Sequence, residues 1–211
     1  MNRLVTYGGA LASDIISTVM PGASTLAKFV DSYAEKKRKE AADIFINEVS
    51  QGYHGRIDFD EHDLDPLIGI VHRFWKAVED GAARENLRLL AQVIAGLKKN
   101  KALEDVDQFR KWAGILEQLT RDELLVLGKA LRVRRDILNA GTDVANDFWQ
   151  RLECSLEAAR YSKSEIGALC ASVSRTGLLI PLSGFGALTY MDTPWLENLG
   201  KLADLENLSQ R

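Results

Sequence analysis

The sequence predicts a mainly α-helical protein, with a helical N-terminal domain over 1–118 and a C-terminal module over 120–211 that carries one short β-hairpin. Three observations carry that expectation. Apolar residues recur at spacings of three, four and seven through most of the chain. Leu, Ala, Glu, Lys and Arg are plentiful and prolines number only four, a balance that favours helix. Between 177 and 192 this period breaks, and two short β-type runs flank a glycine-rich turn.

Taken in order, residues 4–20 form an apolar segment rich in small side chains, closed by Pro21-Gly22. Ser24 fits an N-cap for a helix over about 25–50, with Leu26, Phe29, Val30 and Tyr33 on one face, a charged turn at 35–40, and Ile44, Phe45, Glu48 and Val49 continuing the period. Residues 52–66 are polar and carry Gly and Pro, so they read as a loop. A helix over 67–80 turns Leu67, Ile70, Val71, Phe74, Trp75 and Val78 inward. Another over 83–99 buries Leu87, Leu90, Val93, Ile94 and Leu97, with Lys98 and Lys99 in the last turn, where the helix dipole favours cations. A further helix over 105–119 presents Phe109, Trp112 and Leu116.

Thr120 and Glu123 form a capping box for a helix over 121–135. Helices over 144–160 and 164–175 follow, the second capped by Ser162 or Ser164, with Glu165 placed for the Ser162 box. Residues 177–182 and 187–191 are the strand candidates, and Ser183-Gly184-Phe185-Gly186 is the turn between them. Thr193-Pro194 opens a last helix, with Thr193 as cap and Pro194 at its first position. Trp195, Leu196, Leu199, Leu202 and Leu205 supply its apolar side.

The order helix, helix, helix, hairpin, helix over 120–211 resembles a winged helix. The resemblance rests on Ser174-Arg175-Thr176-Gly177-Leu178-Leu179-Ile180 and on Tyr190-Met191-Asp192-Thr193-Pro194, and it covers about 90 of the 211 residues. It implies a wing at 183–186 and a recognition-type helix at 164–175. The layout of the whole chain also resembles bacterial proteins of unknown function grouped with abortive-infection factors. Those share a Pro-Gly break near the N-terminus, a charged helix, a helical middle and this kind of ending. That resemblance implies a phage-defence or regulatory role and assigns no catalytic residue.

Charge and motifs narrow the function classes. Net charge is −3, which disfavours a general nucleic-acid coat. Over 120–211 there are 11 Lys and Arg against 12 Asp and Glu, few cations for a module that would neutralise phosphates. No Gly-x-Ser-x-Gly, Walker loop or Gly-x-Gly-x-x-Gly occurs. Ser183-Gly184-Phe185-Gly186 lies in a hairpin rather than in a strand-to-helix turn, so it does not read as a phosphate cradle. Asp58, Asp60, Glu61, Asp63 and Asp65 lie near His54, His62 and His72. They fail the Ca²⁺-loop spacing, because Asp63 stands where the tight turn needs Gly and Gly69 where the bidentate Glu belongs. A solvated acidic loop with Asp63 or Asp65 as helix cap is expected instead. Cys154 and Cys170 are expected to be reduced core residues. No catalytic residue, cofactor or metal is assigned, and the cytosol is the expected compartment.

Three readings follow. The first is a non-enzymatic interaction protein that docks a protein partner, or itself, through an apolar wing tip of Leu182, Phe185 and Leu188 and through the N-terminal helix. The second is a DNA-binding regulator that uses helix 164–175, with Arg132, Arg134, Arg135, Lys163 and Arg175 as phosphate contacts. The third is a membrane-active effector that uses residues 4–30, where Gly8, Gly9, Ala10, Ala12 and Ser13 permit close helix approach. Asp14, Lys28 and Asp31 oppose full insertion.

Overall fold

The computed structural model describes residues 24–141, 143–184 and 187–208. The expected apolar segment over 4–20 and the turn residues Phe185 and Gly186 lie outside them. Among the described residues are nine α-helices, a short 3₁₀ turn and one antiparallel hairpin, the mainly α architecture that the sequence predicts.

Helix α1 (Ser24–Gln51) has 28 residues, about 42 Å at the α-helical rise. From Ser32 to Lys39 its side chains are exposed apart from a half-buried Ala34. Tyr33 is in solvent, and burial starts at Ala41 and Ile44. The chain then turns through Gly52 and Gly55 into a 3₁₀ turn (Glu61–Asp63) that runs directly into α2 (Leu64–Glu79). This helix starts three residues before the expected 67, with Pro66 inside its first turn. Proline is accepted there because first-turn amides have no intrahelical acceptor to lose.

Helix α3 (Arg84–Lys99) is the central element. It is buried from Asn86 to Leu97 on nearly every side, with Arg88 the half-exposed exception. The sequence pattern marks a single inward stripe. Ala91, Ala95 and Gly96 instead let neighbours approach the other faces as well. At Gly96 an added Cβ would lie 2.7 Å from His54 Nε2 and 2.9 Å from Leu202 Cδ2. Buried Asn86 donates to the carbonyls of Leu116 and Leu119, joining α3 to the end of α4 (Val106–Leu116).

Helix α5 (Arg121–Asn139) outruns the expected 135, because Ile137 is buried and the chain turns only at Gly141, with φ of 66°. Helices α6 (Val144–Ala158) and α7 (Lys163–Ser174) follow, and both expected capping boxes form, at Thr120–Glu123 and at Ser162–Glu165. Strands β1 (Leu179–Gly184) and β2 (Ala187–Asp192) pair antiparallel, with Leu182 opposite Thr189 and Ser183 opposite Leu188. Pro181, which has no amide hydrogen, is tolerated because each strand of a two-stranded sheet is an edge strand.

The last helical stretch is not continuous as expected. Helix α8 (Pro194–Leu202) ends at an extended Ala203, and α9 (Leu205–Leu208) follows. The Asp204 amide at the break donates to Gln92 Oε1 of α3 at 2.8 Å. Thr193 occupies the N-cap position but makes no side-chain cap bond. Its hydroxyl donates instead to the carbonyls of Gly177 (2.7 Å) and Leu178 (3.2 Å), closing the base of the hairpin.

A single hydrophobic cluster runs from Ala41 to Leu205 and includes residues on both sides of Leu119-Thr120. Buried Glu48 of α1 reinforces it, accepting from Arg88 Nε at 2.6 Å and from Gln92 Nε2 at 3.1 Å.

Gly96→Ala tests the close approach of α3, the 52–55 turn and α8. Alanine is the better helix former by about 1 kcal/mol. The missing space should nonetheless lower unfolding free energy by roughly 1–3 kcal/mol, as read from denaturant melts; a stabilised variant would contradict the packing.

Candidate functional surfaces

The hairpin divides into two faces, because paired residues share a side and successive residues alternate. One face carries Leu179, Pro181, Ser183, Leu188, Tyr190 and Asp192, and the other carries Ile180, Leu182, Thr189 and Met191. The first is turned to the body. Leu179, Tyr190 and Asp192 are buried, the Tyr190 ring lies 5.3 Å from that of Trp149 on α6, and its hydroxyl donates to Gly167 O on α7. Leu188 continues that face outward and is 56% exposed. Ile180 and Leu182, on the other face, are 43% and 41% exposed. Leu182 and Leu188 therefore do not form one patch as the sequence reading has them. They stand on opposite faces of the outer hairpin, and Phe185 is outside the described residues. Ile180 completes the outer face. The signal for it was its position two residues before Leu182, which becomes usable only once the register is known.

The base of the hairpin is held by Trp195. Its ring lies 3.2 Å from where a Gly177 Cβ would stand, and Lys111 Nζ of α4 sits 3.2 Å from the ring centroid. Desolvation between Trp195 and Trp112 lowers the Lys111 pKa.

All five cations named for nucleic-acid contact have carboxylate partners. Arg132 lies 3.9 Å from Glu206, and Arg135 meets the same carboxylate at 2.5 Å. Arg134 pairs with buried Asp192 at the end of β2 and with Glu197 of α8 at 2.8 Å. The three arginines thus fasten α8, α9 and the hairpin base to α5. Lys163 is exposed and lies 3.8 Å from Glu157 and 3.9 Å from Glu153. Arg175 grips both oxygens of Glu123 and also donates to the Gln118 carbonyl at 3.2 Å.

Glu123, the carboxylate that Arg175 grips, is buried and densely hydrogen-bonded. Its side chain is 3% exposed. It accepts from Ser172 Oγ at 2.6 Å, from the Thr120 amide at 2.7 Å and from the Thr120 hydroxyl at 3.0 Å, as well as from Arg175. Burial by itself would raise its pKa. The hydrogen bonds from Arg175, Ser172 and Thr120 outweigh it and hold the carboxyl at about 2.

The acidic loop differs from the solvated loop expected. Asp60, rather than Asp63 or Asp65, makes the cap, accepting from the His62 amide at 2.9 Å. Asp63 is buried, and Lys98 of α3 bridges Asp63 (2.5 Å) and Asp60 (2.9 Å). Hydrogen bonds that Lys98 donates to Asp63 and Asp60 raise its pKa. His54 is turned away, with Nε2 2.8 Å from Leu202 O. Among the described residues no group of three His, Cys, Asp or Glu is placed to hold a metal ion.

Both cysteines are free, but only Cys170 is a core residue. Burial pushes its thiol up to about 12, while Cys154 faces solvent. A second apolar surface runs along α2, where exposed Leu64 and Ile68 flank half-buried Leu67, Val71 and Trp75. The α2 periodicity marks these last three as inward; Ile70, Phe74, Ala77 and Val78 are buried, and Leu67 and Trp75 pack half-buried against the core. No helix among the described residues is long and apolar enough to cross a membrane. The chain matches no family model, no curated protein and no solved structure.

The depressed Glu123 pKa has a definite sign. Stability from this carboxylate is fully present above its unfolded value of 4.5 and is lost as pH falls toward about 2. Glu123→Gln should cost on the order of 2–4 kcal/mol near neutrality. The gap between wild type and variant should hold above about pH 5 and shrink between pH 4.5 and 2. A gap unchanged at pH 3 in urea melts would contradict the assignment.

Proposed function

We propose that this chain is a non-enzymatic interaction protein that docks a protein partner on the outer part of its C-terminal hairpin. The observation that carries the reading is the hairpin itself. Among the described residues neither strand pairs along its outer edge, and the hairpin exposes Ile180 and Leu182 on one face and Leu188 on the other. Apolar side chains beside free backbone edges suit another polypeptide, which can supply both apolar contacts and strand pairing. The described strands carry no cation, so the same surface offers nothing to a phosphate backbone.

The winged-helix-like order of 120–211 supports a modular docking element. The resemblance of the layout to abortive-infection-associated proteins suggests a bacterial defence or regulatory setting, and the two free cysteines suit the reducing cytoplasm. DNA binding through Arg132, Arg134, Arg135, Lys163 and Arg175 would have to compete with the carboxylates already beside each of them. The N-terminal helix, the second docking element of this reading, falls mostly outside the described residues, as does the membrane reading of 4–30.

The test is site-specific photo-crosslinking from positions 182 and 188 of the full chain in its producing cells, with light scattering of the purified chain across concentrations. The expected result is one cross-linked species of defined mass, a heteromer or a dimer. Leu182→Asp with Leu188→Asp should weaken the association at least about ten-fold, or 1.4 kcal/mol. A concentration-independent monomer without a specific cross-link would overturn the reading. Retardation of duplex DNA at low salt that is lost with Lys163→Ala would move the assignment to the second reading.

A further inference from the structure

Three helices converge on a cleft of about 390 Å³ on a different part of the surface. Helix α3 contributes Arg84 and Arg88, one turn apart on one face, and α5 contributes Arg121 from its first turn. The rest of the wall is divided between polar groups of α1 and an apolar floor of Ile44, Leu124 and Leu125. We propose that this cleft binds a phosphorylated small molecule, with the phosphate held by Arg84, Arg88 and Arg121 and the organic body on the apolar floor.

The three guanidinium groups differ in how far they are neutralised, since Arg84 and Arg88 each have one carboxylate neighbour and Arg121 has none among the described residues. Arg121 has no carboxylate within 4.0 Å among the described residues, and Arg84 meets Glu40 only at 3.7 Å while 72% exposed. Arg88 is held from behind. Glu48 takes its Nε at 2.6 Å, and Gln92 and the Tyr53 amide fill the other Glu48 oxygen. The two terminal nitrogens of Arg88 have no hydrogen-bond partner among the described residues. Glu48 thus orients Arg88 with a bond that leaves the terminal fork open. Glu85 is the one further carboxylate of the wall. Ala83, at the N-cap of α3, offers no side chain to the first-turn amides, which adds positive potential at the same end of the cleft.

The chemistry of the walls selects the ligand class. Guanidinium forks match phosphate oxygens in pairs. A divalent head can engage three of them at once, whereas a single carboxylate leaves arginines unmatched. A polycarboxylate would set its polar arms against the apolar half of the wall. A nucleic-acid strand needs an extended cationic track, and a chain with net charge −3 that gathers three arginines in one cleft supplies only a local one. The volume lies within the range of small-molecule sites.

Calorimetry on the full chain tests this, with inorganic pyrophosphate and adenosine diphosphate as phosphate probes and citrate as a carboxylate of similar charge. Saturable one-site binding of at least one phosphate probe is expected, with Kd below about 1 mM. It should weaken at least about ten-fold in Arg84→Gln with Arg121→Gln. It should not change in Arg110→Gln with Arg151→Gln, which removes the same charge from exposed positions on α4 and α6. No saturable binding of either phosphate probe overturns the proposal, as does equal weakening by the control pair or citrate binding as tight as the phosphates. The hairpin reading stands or falls separately, because neither pair of variants touches strands β1 and β2.

Discussion

Glu123 is a carboxylate of the first turn of α5 that serves two structural purposes at once. Locally it closes the capping box with Thr120. Over a longer range it accepts from Ser172 and Arg175 at the end of α7. The start of one helix and the end of another are therefore tied through one buried charge, with nearly all its lone pairs filled. A buried charge with fewer donors would be a liability. With these donors it sets the exit point of α7, and the chain leaving that point turns at Gly177, where φ is 74°. From there Thr193 and Trp195 close the hairpin base, and Arg134 reaches Asp192 from α5. The exposed outer strands stand where they do because this chain of contacts is fixed at its inner end.

Electrostatics follows one rule through most of the molecule. Arg132, Arg134, Arg135 and Arg175 of the C-terminal half are spent internally, on Glu206, Glu197, Asp192 and Glu123. Lys98 does the same for Asp60 and Asp63, and through them places the start of α2. Around the α1–α3–α5 cleft the pairing is looser, with Arg84 3.7 Å from Glu40 and Arg121 without a carboxylate partner among the described residues. There the one well-placed carboxylate, Glu48, orients Arg88 without using its terminal nitrogens. The hairpin and the cleft thus differ in kind, one apolar with free strand edges, the other cationic and concave.

Much of the fold was legible because its signals are local. Thr120 with Glu123 and Ser162 with Glu165 identify caps within four residues, and the change of period after Gly177 identifies the hairpin. What could not be read depends on contacts far apart in sequence. Burial of α3 on nearly all sides requires knowing that Gly96 meets both His54 and Leu202. Pairing of Arg175 with Glu123 spans 52 positions, and that of Arg134 with Glu197 spans 63. A composition count treats such cations as available. Leu182 and Leu188 looked like one patch because the register that separates them by face is a property of the pairing. The arginine cleft was invisible for the same reason, since its walls come from positions 44–48, 84–88 and 121–125.

Hydrogen exchange of the full chain against Glu123→Gln tests most directly the claim that this carboxylate sets the position of the hairpin. Amides over 172–192 should exchange at least about ten-fold faster in the variant, while those of the central helix over 86–97 keep their wild-type protection. Unchanged exchange over 172–192, or the same acceleration in both segments, would show that the hairpin is placed by something other than Glu123.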